Sequence, residues 1–371
     1  MPGKAYVGVN GVARRVKKMY VGINGVARKI KRAYIGIGGV ARPCFSSGLD
    51  YYGTITELSA GRTYLAATTV GDYALFGGGY DGGYSATVDA YDTYLTRTTP
   101  TSLSVGRRFP KATTVGDYAL FGGGYDGGYS ATVDAYDTYL TRTTPSSLSV
   151  ARAYLAATTV GNYALFGGGV YDAYNSTKKT VDAYDASLTR TTPSSLSVAR
   201  AYLAATTIGD YALFGGGAGD GYSATVDAYD ASLTRTTPSS LSTARTYLAA
   251  TTVGNYALFG GGNSVTDTYA TVDAYDASLT RTKQKSLSAA RYHLAATTVG
   301  AYALFGGGYN PDSSKYTADV DVYDIALTKS IQKQLSVGRR CLAAATTGEY
   351  ALFAGGDDSA GYKSTVDAYS I

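Results

Sequence analysis

Short apolar segments, each closed by small residues, recur at a nearly constant interval along most of the chain. The phrase Tyr-Ala-Leu-Phe, followed by Gly-Gly-Gly or Ala-Gly-Gly, returns every 45 to 48 residues. Each unit contains four strand-length segments separated by Gly, Ser, Asn and Asp, which are typical turn residues. A period of this length with four strands per unit predicts an all-β chain that forms a seven-bladed β-propeller with almost no helix. The seven copies begin at Tyr73, Tyr118, Tyr163, Tyr211, Tyr256, Tyr302 and Tyr350.

The fourth unit shows the strand assignment within one blade. We predict an inner strand over residues 201–209, a second strand over 211–217, a third over 225–230 and an outer strand over 234–242. Because the blades of a propeller stand side by side around one axis, the connections between second and third strands should all lie on one face.

The last unit ends after its third strand and so lacks an outer strand, whereas an unused segment precedes the first unit. Residues 57–62 of that segment align with residues 102–107, the end of an outer strand. We predict that residues 52–59 pair with the C-terminal blade and close the ring, because closure removes exposed sheet edges. The predicted domains are a basic arm at 1–44, a linker at 45–51 and a propeller at 52–371.

The repeat units resemble kelch repeats over residues 52–371. The resemblance rests on an arginine that opens the first strand, a Phe-Gly-Gly second strand, a Val-Asp-Ala-Tyr-Asp third strand and the blade length. In the fourth unit these features are Arg200, residues 214–216 and Val226–Asp230. The tryptophan of kelch repeats is absent, and leucine occupies roughly its place. The resemblance implies a kelch-like propeller in which Leu188, Leu233 and Leu279 fill a position between blades.

The N-terminal arm differs from the propeller in charge and in repeat length. Residues 1–49 carry ten Lys or Arg and no acidic residue, whereas the rest of the chain has 23 basic and 28 acidic residues. Units beginning at Tyr6, Tyr20 and Tyr34 place Asn-Gly or Gly-Gly between β-prone segments, which predicts a small β-hairpin repeat module. This 14-residue pattern resembles N-terminal repeats in tail proteins of phages and prophages of Gram-positive bacteria. The basic residues expected to dock are Arg14, Arg15, Lys17, Lys18, Arg28, Lys29, Lys31 and Arg32.

The stretch between second and third strands varies in length and content, while the strands hardly change. Variable loops on a constant scaffold are the usual place for function. Tyr, Gly, Ser, Asn and Asp dominate these loops, a composition that resembles antibody binding sites and suits sugar rings. The alternative is that they are solvated turns, for which the same residues are the default. The residues predicted to contact a receptor are Tyr80, Asp81, Tyr84, Tyr125, Asp126, Tyr129, Tyr171, Asp172, Tyr174, Tyr222, Asp267, Tyr269, Tyr309, Asn310, Tyr316, Asp357, Asp358 and Tyr362.

The recurring charged residues favour structural roles over catalysis. Asp89 and Asp92 recur in most blades, and an active site needs a unique constellation, whereas a contact within a blade recurs. Their expected partners include Arg97 and its counterparts. The arginine that opens each first strand, such as Arg62, is expected to be structural too. The alternative is that several of these arginines point into the central channel and hold an anion.

Enzyme chemistry of the kinds found on this fold is not expected. A galactose-oxidase-like copper site needs two histidines, and the chain has one, His293, interpreted as a substitution at a position that is leucine in sister copies, such as Leu203. A sialidase-like site needs a tyrosine–glutamate pair, and the glutamates are Glu57 and Glu349 alone. We therefore predict no enzymatic activity, no cofactor and no metal.

Other features limit where the chain could act. No apolar run approaches the ~18 residues of a membrane span, and the first residues lack the apolar stretch of a secretory signal. Two cysteines cannot build a disulfide framework. These features favour a protein that is assembled in a host cytoplasm and does not insert into membranes.

These observations converge on a virion or tail protein of a phage or phage-like particle. The arm would dock to other virion proteins, and the propeller would recognise the bacterial surface, a glycan or a protein, with nucleic-acid binding disfavoured and self-association left open. One alternative is a structural decoration or spacer protein that binds only other virion proteins. A more distant alternative is a kelch-fold lectin or glycan-acting enzyme.

Overall fold

The computed structural model describes residues 48–172 and 176–371 in full, and within residues 1–47 only the backbone of paired strands. All regular structure in these parts is β, which confirms the predicted all-β class. The same parts contain no helix long and apolar enough to cross a membrane.

Seven four-stranded antiparallel sheets form the blades of a propeller, as predicted. Neighbouring first strands contact one another and surround a central channel. The first strands are Ala66–Val70, Lys111–Val115, Ala156–Val160, Ala204–Ile208, Ala249–Val253, Ala295–Val299 and Ala343–Thr347. The second strands are Tyr73–Gly77, Tyr118–Gly122, Tyr163–Gly167, Tyr211–Gly215, Tyr256–Gly260, Tyr302–Gly306 and Tyr350–Ala354. The third strands are Val88–Tyr91, Val133–Tyr136, Val181–Tyr184, Val226–Asp230, Val272–Asp276, Val320–Asp324 and Val366–Ser370. The fourth strands are Arg97–Thr98, Arg142–Thr143, Arg190–Thr191, Arg235–Thr236, Arg281–Gln284, Lys329–Ile331 and, for the seventh blade, Asp50–Thr54.

Close packing between blades explains the recurring Phe-Gly pair. A Cβ atom built on Gly77 would lie 2.7 Å from the ring of Phe121 in the next blade, so a larger residue would push the two blades apart. Phe121 is fully buried and meets Tyr136 edge to face, with ring centroids 5.9 Å apart. Each hydrophobic cluster of the described residues is shared in this way by adjacent blades. The core is therefore a ring of interfaces.

The N-terminal segment closes the ring, but its strand lies earlier than expected. Asp50–Thr54 pairs with the third strand of the seventh blade, whereas the expected strand covered residues 52–59. Beyond Thr54, Ile55 and Leu58 still donate backbone hydrogen bonds to that blade, and Leu58 is buried in its core. The register shifts within the ladder, between the pairs Tyr51–Tyr369 and Gly53–Ala368, and pairing then continues to Thr54.

Threonines join neighbouring blades around the channel. The threonine at the fourth position of each first strand donates its hydroxyl to the backbone carbonyl of the corresponding residue in the preceding blade, and these bonds form a closed ring. The bond from Thr69 to the carbonyl of Thr346, at 2.9 Å, links the first blade to the last. The ring is thus closed at its inner wall as well as by the N-terminal strand.

The two ends of the propeller carry different connections. The loop face is the end with the connections between second and third strands, residues 78–87 in the first blade. The turn face is the opposite end, with the tight turns at residues 71–72 and 92–96 and their counterparts. Asp50 pairs with Ser370, the last residue of a third strand, so the chain enters the propeller at the turn face.

The arm is described only as three antiparallel strand pairs, and its turns and side chains lie outside the described residues. The predicted hairpin module and the domain boundaries therefore stay predictions, as do the docking roles of the basic residues. The pairs are Tyr6–Val9 with Val12–Arg15, Met19–Ile23 with Val26–Ile30, and Arg32–Ile37 with Val40–Ser46.

Candidate recognition face and channel mouth

The variable loops have fixed bases and variable tips. In each blade, the residue after the opening arginine forms a β-bridge with a residue at the base of the loop, as Thr63 does with Tyr80. Two loops add a short ladder of their own, Tyr309–Asn310 with Lys315–Tyr316 and Asp357–Asp358 with Gly361–Tyr362. The bases are thus held by the rigid first strands, and the loops differ beyond them.

Five tyrosines form a continuous cluster across blades seven, one and two on the loop face. This tyrosine cluster consists of Tyr362, Tyr80, Tyr84, Tyr125 and Tyr129. The ring of Tyr80 lies 5.7 Å from that of Tyr362, and Tyr84 lies 5.8 Å from Tyr125. All contacts are edge to face, and Tyr84 and Tyr362 keep about two fifths of their surface exposed. The cluster presents ring surface and hydroxyls in one patch.

Arg108 holds the tyrosine cluster from within. Its guanidinium carbon lies 5.5 Å from the ring centroid of Tyr80, 5.8 Å from Tyr84 and 5.2 Å from Tyr125. These distances are typical of cation–π contacts, which contribute most where the cation is partly desolvated. Arg108 therefore orders the rings of two blades and leaves a positive charge beneath the patch.

A second group with the same design lies between blades six and seven. Tyr309 and Tyr316 have ring centroids 5.0 Å apart, and the Arg340 guanidinium lies 5.4 and 5.5 Å from the two rings. Asp357 accepts hydrogen bonds from Arg340 at 3.1 Å and from the Thr63 hydroxyl at 2.7 Å. Asp357 was predicted to contact a receptor. In the structure it links Arg340 of the seventh blade to Thr63 of the first blade.

Three other predicted tyrosines within the described residues stand apart from these clusters. Tyr171 lies under the Lys178 ammonium, 3.8 Å from nitrogen to ring centroid, and Tyr222 is exposed by 39%. The Tyr269 hydroxyl donates to Ser264 within its own loop, and Tyr174 lies outside the described residues. The structure thus gathers Tyr80, Tyr84, Tyr125, Tyr129 and Tyr362 into one patch. It leaves Tyr171, Tyr222 and Tyr269 separate from that patch.

Most of the predicted acidic and amide residues serve their own loops. Asp81 accepts a hydrogen bond from the backbone N–H of Gly83, and Asp358 pairs with Lys363 at 2.7 Å. Such bonds are typical of turn-forming Asp and Asn. The same local role is filled by Asp126, Asp172, Asp267 and Asn310, which accept from Gly128, Ser176, Thr266 and Ser313.

The channel mouth on the loop face is ringed by a collar that sequence reasoning missed. The collar consists of the residue two positions after each opening arginine: Tyr64, Phe109, Tyr154, Tyr202, Tyr247, His293 and Cys341. All seven adopt left-handed backbone conformations, with φ between 52° and 59°. Neighbouring rings from Tyr64 through to His293 lie 4.1 to 4.7 Å apart. The sequence shows that an aromatic residue recurs at this position in most blades. It does not show the left-handed backbone conformation that directs these side chains to the channel mouth.

Bonds between blades hold this unusual backbone. Left-handed φ is uncommon for bulky residues and costs on the order of 1–2 kcal/mol each. The Phe109 N–H donates to the carbonyl of Tyr64 at 3.0 Å, and the Cys341 N–H donates to that of His293 at 3.0 Å. Stacking and these backbone bonds offset the strain, so the collar is a rigid rim.

The interpretation of His293 as a counterpart of Leu203 was wrong. Ladder register aligns Ala295 with Ala204, so Leu294 matches Leu203 and His293 matches Tyr202 of the collar. Burial, followed by the charges of Arg340 and Lys111, lowers the pKa of His293 to about 3. The imidazole is therefore a neutral stacking ring at physiological pH.

We predict that His293 makes the protein lose stability as pH falls below about 6.5. The unfolded chain binds a proton on this histidine near pH 6.5, while the folded chain stays neutral until about pH 3. The free energy of unfolding should fall by about 1.4 kcal/mol per pH unit in between, or about 2 kcal/mol from pH 6.5 to 5. Denaturant titrations over this range should show the slope in the wild type.

His293→Tyr is the matched variant, since tyrosine holds this position in four other blades and the chain has one histidine. The variant should lose the slope between pH 6.5 and 5 while keeping the contribution of carboxylates below it. Parallel pH profiles for the two proteins would show that the imidazole titrates normally in the folded state.

The opening arginines form buried ion pairs and do not enter the channel. Arg152 pairs with Asp182 at 2.7 Å, and both side chains are fully buried. Burial alone would raise the pKa of Asp134, but Arg107 and bonds from Ser104 outweigh it and hold that pKa below its usual value. The expected structural role is confirmed, and the anion-holding alternative is wrong. The other pairs are Arg62–Asp89, Arg107–Asp134, Arg200–Asp227, Arg245–Asp273, Arg291–Asp321 and Arg339–Asp367.

The remaining recurring groups are also structural. Arg97, with its counterparts, approaches the outer side of the same carboxylates, as predicted. Asp92 accepts the N–H groups of Tyr94 and Thr96 and so shapes the turn to the fourth strand. Leu233 packs into the cluster between the third and fourth blades, at the place expected for it.

The turn face carries two exposed tyrosines that sequence reasoning did not consider. Tyr94 and Tyr139 occupy the turns between third and fourth strands of blades one and two and are exposed by 60% and 88%. Serine or alanine holds this position in blades three to six. These residues give a control for any test of the loop face.

Comparisons with known proteins identify no family for this chain. No protein-family model matches the chain, and a search of curated proteins finds no significant relative. In the described ranges, 48–172 and 176–371, no cluster of three or more metal-ligating side chains occurs.

Proposed function

We propose that the chain is a host-recognition protein of a phage or phage-like particle. Its arm docks to the particle through basic residues, and the loop face of its propeller binds the bacterial surface, a glycan in the first instance. We also propose that the blades are of the kelch type, since the Arg, Phe-Gly-Gly and Val-Asp-Ala-Tyr-Asp pattern is complete in the first five blades. The sixth blade changes it only at Val322, and the seventh only at Ala354 and Ser370.

The observation that carries the proposal is the position of the two ends of the propeller. The chain enters at the turn face, beside the last residues of the seventh blade, while the variable loops lie at the opposite end of the ring. A recognition protein needs this polarity, because its attachment point must leave the binding surface free.

The chemistry of the loop face supports recognition of sugars. Aromatic rings offer flat apolar area and hydroxyls at low entropic cost, and carbohydrate rings pack well on such surfaces. The tyrosine cluster brings together five such rings, which Arg108 orders. Four of them lie in the identical loops of the first and second blades, and the fifth lies in the loop of the seventh blade. Interface energy is usually concentrated in a few aromatic anchors of this kind.

Paired tyrosine substitutions on the two faces test the proposal. We expect the double variant Tyr84→Ala with Tyr129→Ala to weaken binding to intact cells or purified cell-wall polysaccharide about thirtyfold or more, since one aromatic anchor contributes ~2 kcal/mol or more. The control is Tyr94→Ala with Tyr139→Ala, which removes two tyrosines of the same blades from the turn face and should leave binding unchanged. Fluorescently labelled full chain and a panel of Gram-positive bacteria give the measurement.

Equal loss in both double variants would remove the loop face as the binding surface. If the chain binds no cells and the loop face is protected by neighbouring proteins in the assembled particle, the protein is a decoration protein instead. Melting temperatures of both variants, measured alongside, separate lost binding from lost folding.

A further inference from the structure

The central channel contains one feature that breaks the repeat. In the second blade, residues 108–111 read Arg-Phe-Pro-Lys, whereas the fourth blade reads Ala-Tyr-Leu-Ala at residues 201–204. Lys111 therefore stands where the other six blades have alanine. A contact that recurs in every blade serves the fold. A residue that occurs in one blade alone makes the channel asymmetric at that point and is a candidate for function.

Lys111 is the one charged side chain among the described residues that line the channel cavities. Below the collar, the wall consists of leucines and Pro110, then alanines, and finally threonines toward the turn face. No carboxylate belongs to this lining. A fixed positive charge in a wall without acidic groups creates a potential that attracts anions.

The Lys111 ammonium has no hydrogen-bond or ion-pair partner among the described residues. Its side chain is exposed to the solvent inside the channel, and desolvation by the channel wall lowers the pKa of Lys111. Its charge also contributes to the lowered pKa of His293, which places it toward the collar. A partly desolvated cation without a counter-ion is stabilised by any anion that reaches it.

The space beside Lys111 suits a small group. The cavity bounded by the collar and the leucines below it measures about 140 Å³. At roughly 10–15 Å³ for each water, it would hold on the order of ten waters. The collar above it supplies tyrosine rings for packing and hydroxyls for hydrogen bonds to the molecule that carries the anionic group.

We propose that the channel mouth is a binding site for a small anion, a carboxylate or phosphate group on a compact molecule or at a chain end, with Lys111 as its counter-charge and the collar as its rim. The site is separate from the tyrosine cluster. It does not depend on what the loop face recognises.

Calorimetric titration of the full chain tests the site with defined probes. Inorganic phosphate and glucuronate represent the two anionic groups, and glucose is the neutral counterpart of glucuronate. We expect one anion or both to bind with one site per chain, and the one that binds identifies the group. Lys111→Ala should weaken this binding about tenfold or more, as expected for a charge-assisted contact.

The control variant is Lys315→Ala, which removes an exposed lysine from a loop of the sixth blade and should bind like the wild type. Lys111→Ala should fold normally because six blades already carry alanine there, and its melting temperature checks this. Absence of binding by both anions at about 10 mM, unchanged binding in Lys111→Ala, or equal binding of glucose would overturn the proposal.

Discussion

A chain that begins at Gly61 should lose its cooperative unfolding transition or melt far below the full chain. The deletion removes Asp50–Thr54 and so exposes the edge of the last third strand. It also removes the buried Leu58 and the Tyr51 ring, whose hydroxyl donates to Asp367 at 2.7 Å. Burial of one large apolar side chain contributes ~1.5–3 kcal/mol, so the loss should be on the order of 5 kcal/mol or more. Ordinary domains have ~5–15 kcal/mol of stability in total.

The matched control begins at Gly48, which removes the arm and keeps the closing strand. We expect its melting temperature to stay close to that of the full chain, because the described contacts of the propeller start at Gly48. Circular dichroism and calorimetry of the three chains give the comparison. Similar melting of the chains that begin at Gly61 and Gly48 would show that the threonine ring alone keeps the propeller closed.

The fold could be predicted because its determinants are local and repeated. Seven copies of one phrase fixed the number of blades, and the missing outer strand implied closure from the N-terminal side. The closing strand was misplaced by two residues at its start because Tyr52 and its neighbours have no repeat counterpart to align with. Its end was misplaced because beyond Thr54 isolated backbone bonds from Ile55 and Leu58 continue to the last blade, and the sequence does not distinguish such bonds from a regular strand.

The candidate sites were less accessible to sequence reasoning. Loop composition indicated which tyrosines to consider, but contacts between blades decide that Tyr84 meets Tyr125 while Tyr171 stands apart. The collar depends on a left-handed φ at one position in each blade. The presence of a tyrosine or histidine at that position does not predict this backbone conformation. The position of Lys111 could not be predicted for a related reason. A lysine at the start of a strand is usually solvated at the protein surface, and only the closed ring of blades places this one inside the channel.

The second large effect should come from breaking a single buried ion pair. Asp182→Asn leaves Arg152 fully buried with the carbonyls of Phe166 and Val150 but without its counter-charge. Removing one partner of a buried pair typically costs ~3–5 kcal/mol, since the remaining charge is desolvated and unpaired. Denaturant unfolding of the variant should show this loss with an unchanged fold.

The same carboxylate provides its own control on the outer side. Arg190 donates to Asp182 at 2.8 Å but keeps 28% of its side chain exposed, so Arg190→Ala should cost only ~0–1 kcal/mol. A third variant, Arg152→Met with Asp182→Leu, removes both buried charges and should recover part of the loss, because apolar replacements of buried pairs are often neutral. If Asp182→Asn costs no more than Arg190→Ala, water must reach the pair, and the blade interior would be wetter than its packing indicates. A large loss in Asp182→Asn that the apolar pair restores would show that each blade keeps its arginine and aspartate as a unit, which is why they recur together in all seven.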